Sequence, residues 1–177
     1  MTVHQQQPVP DTVRDLGALG EPDYVDLFTL TADDVGRWPP ERWARVMIED
    51  IAGRGGQFIF RVLLGMRLAS RHSFNHIAGW RVAASDDEHV RLEATSWFLR
   101  SRMVVRVADG QVSLATFMRY DRHLAAAVWT PLSALHRTLA PGLLRDAHKA
   151  LRGLLALAAV TSQGLPTRRR VPGVCAG

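Results

Sequence analysis

His136 is the residue of this chain best placed to do chemistry. It stands at the edge of an apolar stripe at helical spacing, seven residues after Trp129 and so nearly above it on a turn of 3.6 residues. A neutral imidazole there can hydrogen-bond a ligand oxygen or move a proton; its bland alternative is a boundary histidine satisfied by backbone or by a neighbour. Ser96, Thr116 and Tyr120 fall on an alternating face that is otherwise apolar. A few hydroxyls in such a setting orient a ligand, or else bond to the backbone of a packed core. Arg81, Glu93 and Arg119 alternate onto the opposite face, where a surface ion pair is expected. His72 and His76 are four residues apart, but the approach of a strand argues against a helical metal-ligand pair, and no second ligand cluster accompanies them. Gly53 to Gly56 (GRGG) lacks the spacing of a phosphate loop, no G-x-S-x-G is present, and Cys175 lies in the tail. No catalytic motif, metal or cofactor follows from these residues.

What must position them is an antiparallel meander from Asn75 to Asp121. Asp109-Gly110 is the pair that a two-residue type I′ hairpin demands, since both central residues need positive φ. Pairing outward sets Val107 opposite Val112, Val105 opposite Leu114, Met103 opposite Thr116 and Arg106 opposite Ser113. A second two-residue loop at Arg100-Ser101 would pair Phe98 with Met103, Ser96 with Val105 and Ala94 with Val107. A five-residue loop from Ser85 to His89 then brings Val82 to Leu92, Trp80 to Ala94 and Ala78 to Ser96, with Arg81 opposite Glu93 and Ile77 opposite Trp97 on the other face. The inner face so predicted carries Trp80, Leu92, Val105, Val107, Leu114, Met118 and Tyr120 around Ala78, Ala94, Ser96 and Thr116. Large residues around small ones leave room for a hollow.

Flanking elements follow from periodicity. Asp23 to Leu30 alternates as a first strand. Thr31 with Asp33-Asp34 suggests a helix cap, and Pro39-Pro40 opens a helix carrying Trp43, Val46, Met47 and Ile51. Gly53 to Gly56 should break it, and Gln57 to Leu68 should form a helix buried on more than one side. From Arg122 to about Val160, Leu124, Val128, Leu132, Leu135, Leu139 and Leu143 form one stripe, with Trp129 and His136 at its edge. Pro131 and Pro141 should kink or restart this helix, Thr130 serving as a cap. Leu132 and Leu135 should pack toward Trp80, Leu92, Val105 or Leu114.

The chain has 177 residues, enough for one domain with its own core and no disulfide. Composition predicts a disordered N-terminal segment over residues 1–21, a single domain over 22–160 and a disordered basic tail over 161–177. Of the net charge of +5, Arg168, Arg169 and Arg170 supply three, so no nucleic-acid partner is expected. A single tail cysteine fits a reducing, cytoplasmic compartment, no leader peptide is expected, and no apolar run is long enough to span a bilayer. Contact with a membrane surface or protein partner, and the oligomeric state, stay open.

The phrases HIAGWRV, VRLEATSWFL, ATFMRYDR and AVWTPLSALHRTLAPGLLRDA, with the order strand, helical pair, meander and long C-terminal helix, resemble the START-like and birch-allergen-like (SRPBCC) superfamily. Within it they are similar to the uncharacterised bacterial domain of unknown function 2867, over about Tyr24 to Leu151. The resemblance implies an α+β helix-grip fold, in which a curved antiparallel sheet grips the C-terminal helix around a cavity for a lipid, sterol, polyketide or other small hydrophobic molecule. It implies no single reaction, because the superfamily holds carriers and cyclases alike. The cavity candidates are then Trp80, Ala94, Ser96, Val105, Leu114, Thr116, Met118 and Tyr120 from the sheet, with Trp129, Leu132 and His136 from the helix. A cyclase, aromatase or hydrolase-like activity in the same cavity, and an interaction module using the helix or tail, are the alternatives.

Overall fold

The computed structural model describes residues 2–17, 19–70 and 75–163, with side chains as far as Ala156. It is an α+β structure. Seven antiparallel strands form one sheet: β1 (Thr2–Gln5), β2 (Tyr24–Thr31), β3 (His76–Ile77), β4 (Trp80–Ser85), β5 (His89–Thr95), β6 (Leu99–Ala108) and β7 (Gln111–Tyr120). Their order across the sheet is β1-β2-β7-β6-β5-β4-β3. The helices are α1 (Asp11–Gly17), α2 (Pro40–Arg45), α3 (Gly53–Phe58) and α4 (His123–Gln163).

The Asp109-Gly110 turn forms as expected, with φ of 54° and 69°. It sets Val107 opposite Val112, Val105 opposite Leu114, Met103 opposite Thr116 and Arg106 opposite Ser113. Arg81 meets Glu93 and Val82 meets Leu92, after which a bulge at Val82 and Ala84 lets Ser85 pair with Val90.

The loop expected at Arg100-Ser101 does not form. The chain turns instead through Ser96, Trp97 and Phe98, where Ser96 Oγ accepts the N–H groups of Phe98 and Leu99 at 3.3 and 3.2 Å. That local bonding outcompetes the shorter loop. Ala94 therefore pairs with Ser101, Leu92 with Met103 and Val90 with Val105. The displacement is even, so every side chain keeps its face although the register moves.

Ile77 and Ala78 also depart from expectation. Ala78 and Gly79, at φ of 51° and 89°, make a further hairpin that pairs Ile77 with Trp80. Ile77 is therefore fully buried rather than outward-facing opposite Trp97, and Ala78 does not meet Ser96. The left-handed Ala78 is held at both backbone groups: its N–H donates to Glu49 Oε1 and its carbonyl accepts from Gln57 Nε2, each at 2.9 Å. At Gly79 a Cβ would stand 2.7 Å from the Ala69 carbonyl oxygen, so only glycine fits.

The N-terminal segment is structured, against the expectation from its composition. β1 pairs with β2, and α1 lies on the outer face of the sheet. There Val9, Val13 and Leu19 cluster with Leu27, Val104, Ala115 and Phe117. Three arginines of the sheet donate to carbonyls at and just beyond the end of α1: Arg91 to Leu16, Arg102 to Gly17 and Arg119 to Leu19, at 3.2, 2.9 and 3.4 Å. Cations there satisfy acceptors the helix leaves open. The tail expected to be disordered lies outside the described residues from 164 onward; the helix itself runs through Gln163.

Pro40 takes the first position of α2 as expected. Thr31 is instead the last residue of β2, and the short 3-10 turn Val35–Arg37 follows Asp34 with no side-chain cap. From α2 the chain passes into a π-helical stretch, Val46–Ile51, then into α3 and a second such stretch, Ile59–Leu63. The break expected at the glycines falls at Gly53, whose φ of 47° is left-handed, and a new helix, α3, starts from it. Helix ends at Leu63 rather than Leu68, and residues 53–63 bury no side chain fully; Phe58 and Val62 are 56% and 62% exposed. Strong apolar content does not make this segment a core helix.

Pro131 and Pro141 both lie inside α4, which is unbroken by secondary structure. Thr130 donates to the Ala126 carbonyl at 2.7 Å instead of capping a new helix. Each proline removes one backbone bond, while packing along a whole helical face favours continuation. That face is Ala125, Trp129, Ser133, Ala140, Leu144, Ala147, His148 and Leu151. It is rotated from the leucine stripe, of which Leu124, Leu135 and Leu139 remain 44%, 44% and 53% exposed. Buried alanines alternate with Trp129, Leu144 and Leu151 along it, so Trp129 is central rather than marginal.

Candidate functional site

Between α4 and the helical segments of residues 46–64 runs an apolar groove of about 390 Å³. Ile51, Ile59, Phe60 and Leu64 line one side, and Leu132, Leu135, Leu139 and Leu143 the other. Gly55, Gly56 and Gly142 stand along it, and at Gly55 and Gly142 an added Cβ would meet no atom within 4 Å. Trp129, His136 and Asp146 are the lining residues whose side chains carry polar atoms.

Behind His136 lies a polar cluster anchored on β2 and β7. Asp26 is 1% exposed, and its Oδ2 accepts the Tyr24 hydroxyl at 2.6 Å and faces His136 Nε2 at 3.2 Å. Thr116 Oγ1 also lies 3.2 Å from His136 Nε2. Burial pushes the Tyr24 phenol well above its ordinary pKa; the hydrogen bond from Arg137 opposes this and the bond to Asp26 adds to it. Tyr24 is thus a proton donor at neutral pH. Arg137 Nε donates to the same oxygen at 3.2 Å, with its guanidinium 5.5 Å from the ring centroid.

Aromatic rings fix the imidazole in place. Trp129 is 5.7 Å from His136 and Phe28 is 6.1 Å away, edge to face, while Tyr24 meets Trp129 edge-on at 5.3 Å. In the neutral imidazole, two oxygens close to Nε2, one of them a carboxylate's, place the ring proton on Nε2. Nδ1 then becomes an acceptor, and it has no hydrogen-bond partner among the described residues. Asp26 Oδ1 and Trp129 Nε1 are buried without partners.

A larger recess of about 670 Å³ is polar, bounded by Asp33, Asp34, Arg37, His148 and Arg152. Its charges are largely matched within the chain: Asp34 bonds His148 at 2.7 Å and faces Arg152 at 3.5 Å. The His148 hydrogen bond holds the Asp34 carboxyl below its ordinary pKa, against a smaller effect of burial. His148 itself stacks on Trp43 at 6.0 Å with the planes 3° from parallel.

Of the residues expected to line a cavity, Trp129, Leu132 and His136 do so, and Thr116 touches His136 from behind. Trp80, Ala94, Val105, Leu114 and Met118 fill the main core, and Tyr120 packs at its margin. Ser96 is a turn residue. Tyr120 offers its backbone N–H to Asp23 Oδ2 at 2.6 Å. The opening lies between helices, not between sheet and helix, because the inner face of the sheet is packed. Leu132 joins the main core, but Leu135 borders the groove half exposed.

Arg81 and Glu93 are adjacent on the outer face as expected, yet Glu93 has a larger role. Its carboxylate pairs with Arg81 and Arg102 and faces Arg91 at 3.5 Å. Two of those arginines hold α1. Arg119 belongs with them through Leu19 rather than with Glu93.

Tyr24 and Asp26 were not among the expected site residues. Their signal is in the strand: Asp26 shares an alternation face with Tyr24, Phe28 and Leu30, and a carboxylate on an otherwise apolar face requires a partner.

Among the described residues no three His, Cys, Asp or Glu side chains gather as a metal set, and no helix is long and apolar enough to cross a membrane. His72 lies outside the described residues. Compared with protein families, curated proteins and solved structures, the chain matches none.

Proposed function

We propose that this protein binds a small hydrophobic or amphipathic molecule in the groove between α4 and residues 46–64. The observation that carries this is a recess of about 390 Å³, the size of many small-ligand sites, whose walls are leucine, isoleucine and phenylalanine with few polar groups. Leu135, Leu139 and Ile51 keep 38–53% of their surface exposed there, and covering them would release apolar surface from water. The START-like helix-grip fold is part of the same proposal. It is supported by a strand order in which β2 joins β7 and β6 to β3 follow in reverse sequence, with the α-helices α2 and α3 between β2 and β3 and a long helix after β7.

Native mass spectrometry with organic extraction, on protein purified from its own host, would identify the occupant without choosing one beforehand. Gly142→Phe supplies the control: a ring there should enter the groove with no strain on the backbone. Loss of the co-purified molecule in that variant, at unchanged stability, is the expected result. Undiminished retention would remove the groove as the binding site.

A further inference from the structure

We infer that the groove selects a neutral, largely apolar molecule bearing a hydroxyl over the corresponding carboxylate, and that Asp26 and His136 make the selection. This rests on the groove being a ligand site, and it specifies the class of ligand.

In the neutral imidazole, with Nε2–H directed at Asp26 Oδ2 and Thr116 Oγ1, each 3.2 Å away, His136 has one unused function, the Nδ1 lone pair. An occupant meets that lone pair favourably only by donating a proton to it, which an alcohol or phenol does and a carboxylate does not.

Charge decides against the acid. The Asp26 carboxylate is buried behind the imidazole; Asp146, also at the groove, is paired with Lys149 at 3.0 Å and adds little. A ligand carboxylate would enter a weakly solvated space facing like charge, where repulsion is greater than in water. Arg137, the nearest cation of the cluster, is already directed at the Tyr24 hydroxyl and ring.

Naphthalene, naphthol and naphthoate form a matched set of probes, and their binding to the full chain can be followed by fluorescence and calorimetry. Naphthol should bind about three- to tenfold more tightly than naphthalene, the range of one net hydrogen bond, and naphthoate should bind most weakly. His136→Leu should erase the advantage of naphthol over naphthalene. Asp26→Asn should raise the affinity for naphthoate. Equal binding of naphthol and naphthalene by the wild type, or tighter binding of naphthoate, overturns the inference while leaving the groove as a binding site. Equal loss of all three probes in His136→Leu likewise overturns it, since the histidine would then act by packing. If no probe binds the wild type, the groove proposal fails first. The Leu variant keeps apolar volume at position 136, so the test survives if Asp26→Asn fails to fold.

Discussion

Gly17 ends α1 directly against the ring of Phe117: a Cβ built on Gly17 would stand 2.6 Å from Cζ and 2.7 Å from both Cε atoms. Phe117 is 1% exposed, held among Leu27, Val104 and Ala115, so its ring cannot simply withdraw. Helix propensity alone would favour alanine at position 17 by up to about 1 kcal/mol. The contact decides otherwise. Gly17→Ala should destabilise the fold by about 1–3 kcal/mol, as overpacking does, measured by urea unfolding. Adding Phe117→Leu should recover part of that loss. A stabilised Gly17→Ala would mean that α1 does not sit on this face.

The rotated face of α4 predicts opposite outcomes for two leucines. Leu144 is fully buried, and Leu144→Ala should cost about 2–5 kcal/mol. Leu135, 44% exposed at the groove, should lose less than about 1 kcal/mol on truncation. Its effect should appear instead in the affinity for an apolar probe. A stability loss at Leu135 equal to that at Leu144 would restore the leucine stripe as the packed face.

Those two residues also show what could be read in advance. Alternation from Trp80 to Tyr120 assigns faces reliably, because a strand offers only two sides, and Asp109-Gly110 pins one register because few residue pairs accept positive φ twice. At Ser96 the register depended on a hydroxyl closing a loop, which no apolar pattern reveals. On α4, the stripe followed the largest apolar residues, while the buried face includes alanines that score weakly as hydrophobic. The N-terminal segment was missed for a different reason: Val9, Val13 and Leu19 are too few to look like a core element, and they become one only where the sheet supplies Leu27, Val104 and Phe117. Asp26 was legible as an anomaly. Its partner, 110 residues away in sequence at His136, was not.

Asp34 provides a pH test. The His148 hydrogen bond holds its folded pKa below the ordinary aspartate value, so the unfolded chain takes up a proton first as pH falls. The resulting stabilisation is present in full above the unfolded value of about 4 and disappears as pH falls through the lower folded value. Wild type should therefore exceed Asp34→Asn in stability at neutral pH, and the two should converge in more acid solution. Denaturant unfolding from pH 7 down to about pH 3 checks this. A gap that stays constant over that range would show that the aspartate contributes by packing or neutral hydrogen bonding rather than by its charge.

Tyr24 bears on the geometry on which ligand choice depends. Its hydroxyl donates to Asp26 Oδ2 at 2.6 Å, while Oδ1 of that carboxylate is buried without a partner. Removing the donor leaves His136 as the only described group directed at Oδ2. Tyr24→Phe should therefore destabilise by about 1.5–3 kcal/mol, the range for a hydrogen bond to a charged group. Arg137→Ala, which removes an exposed cation from the same phenol, should cost less than about 1 kcal/mol. Loss of the donor should also free the carboxylate to shift relative to the imidazole, so naphthol should lose part of its advantage over naphthalene in Tyr24→Phe. If stability falls and that advantage is unchanged, Tyr24 supports the fold alone, and His136 is oriented without it by Thr116, Phe28 and Trp129.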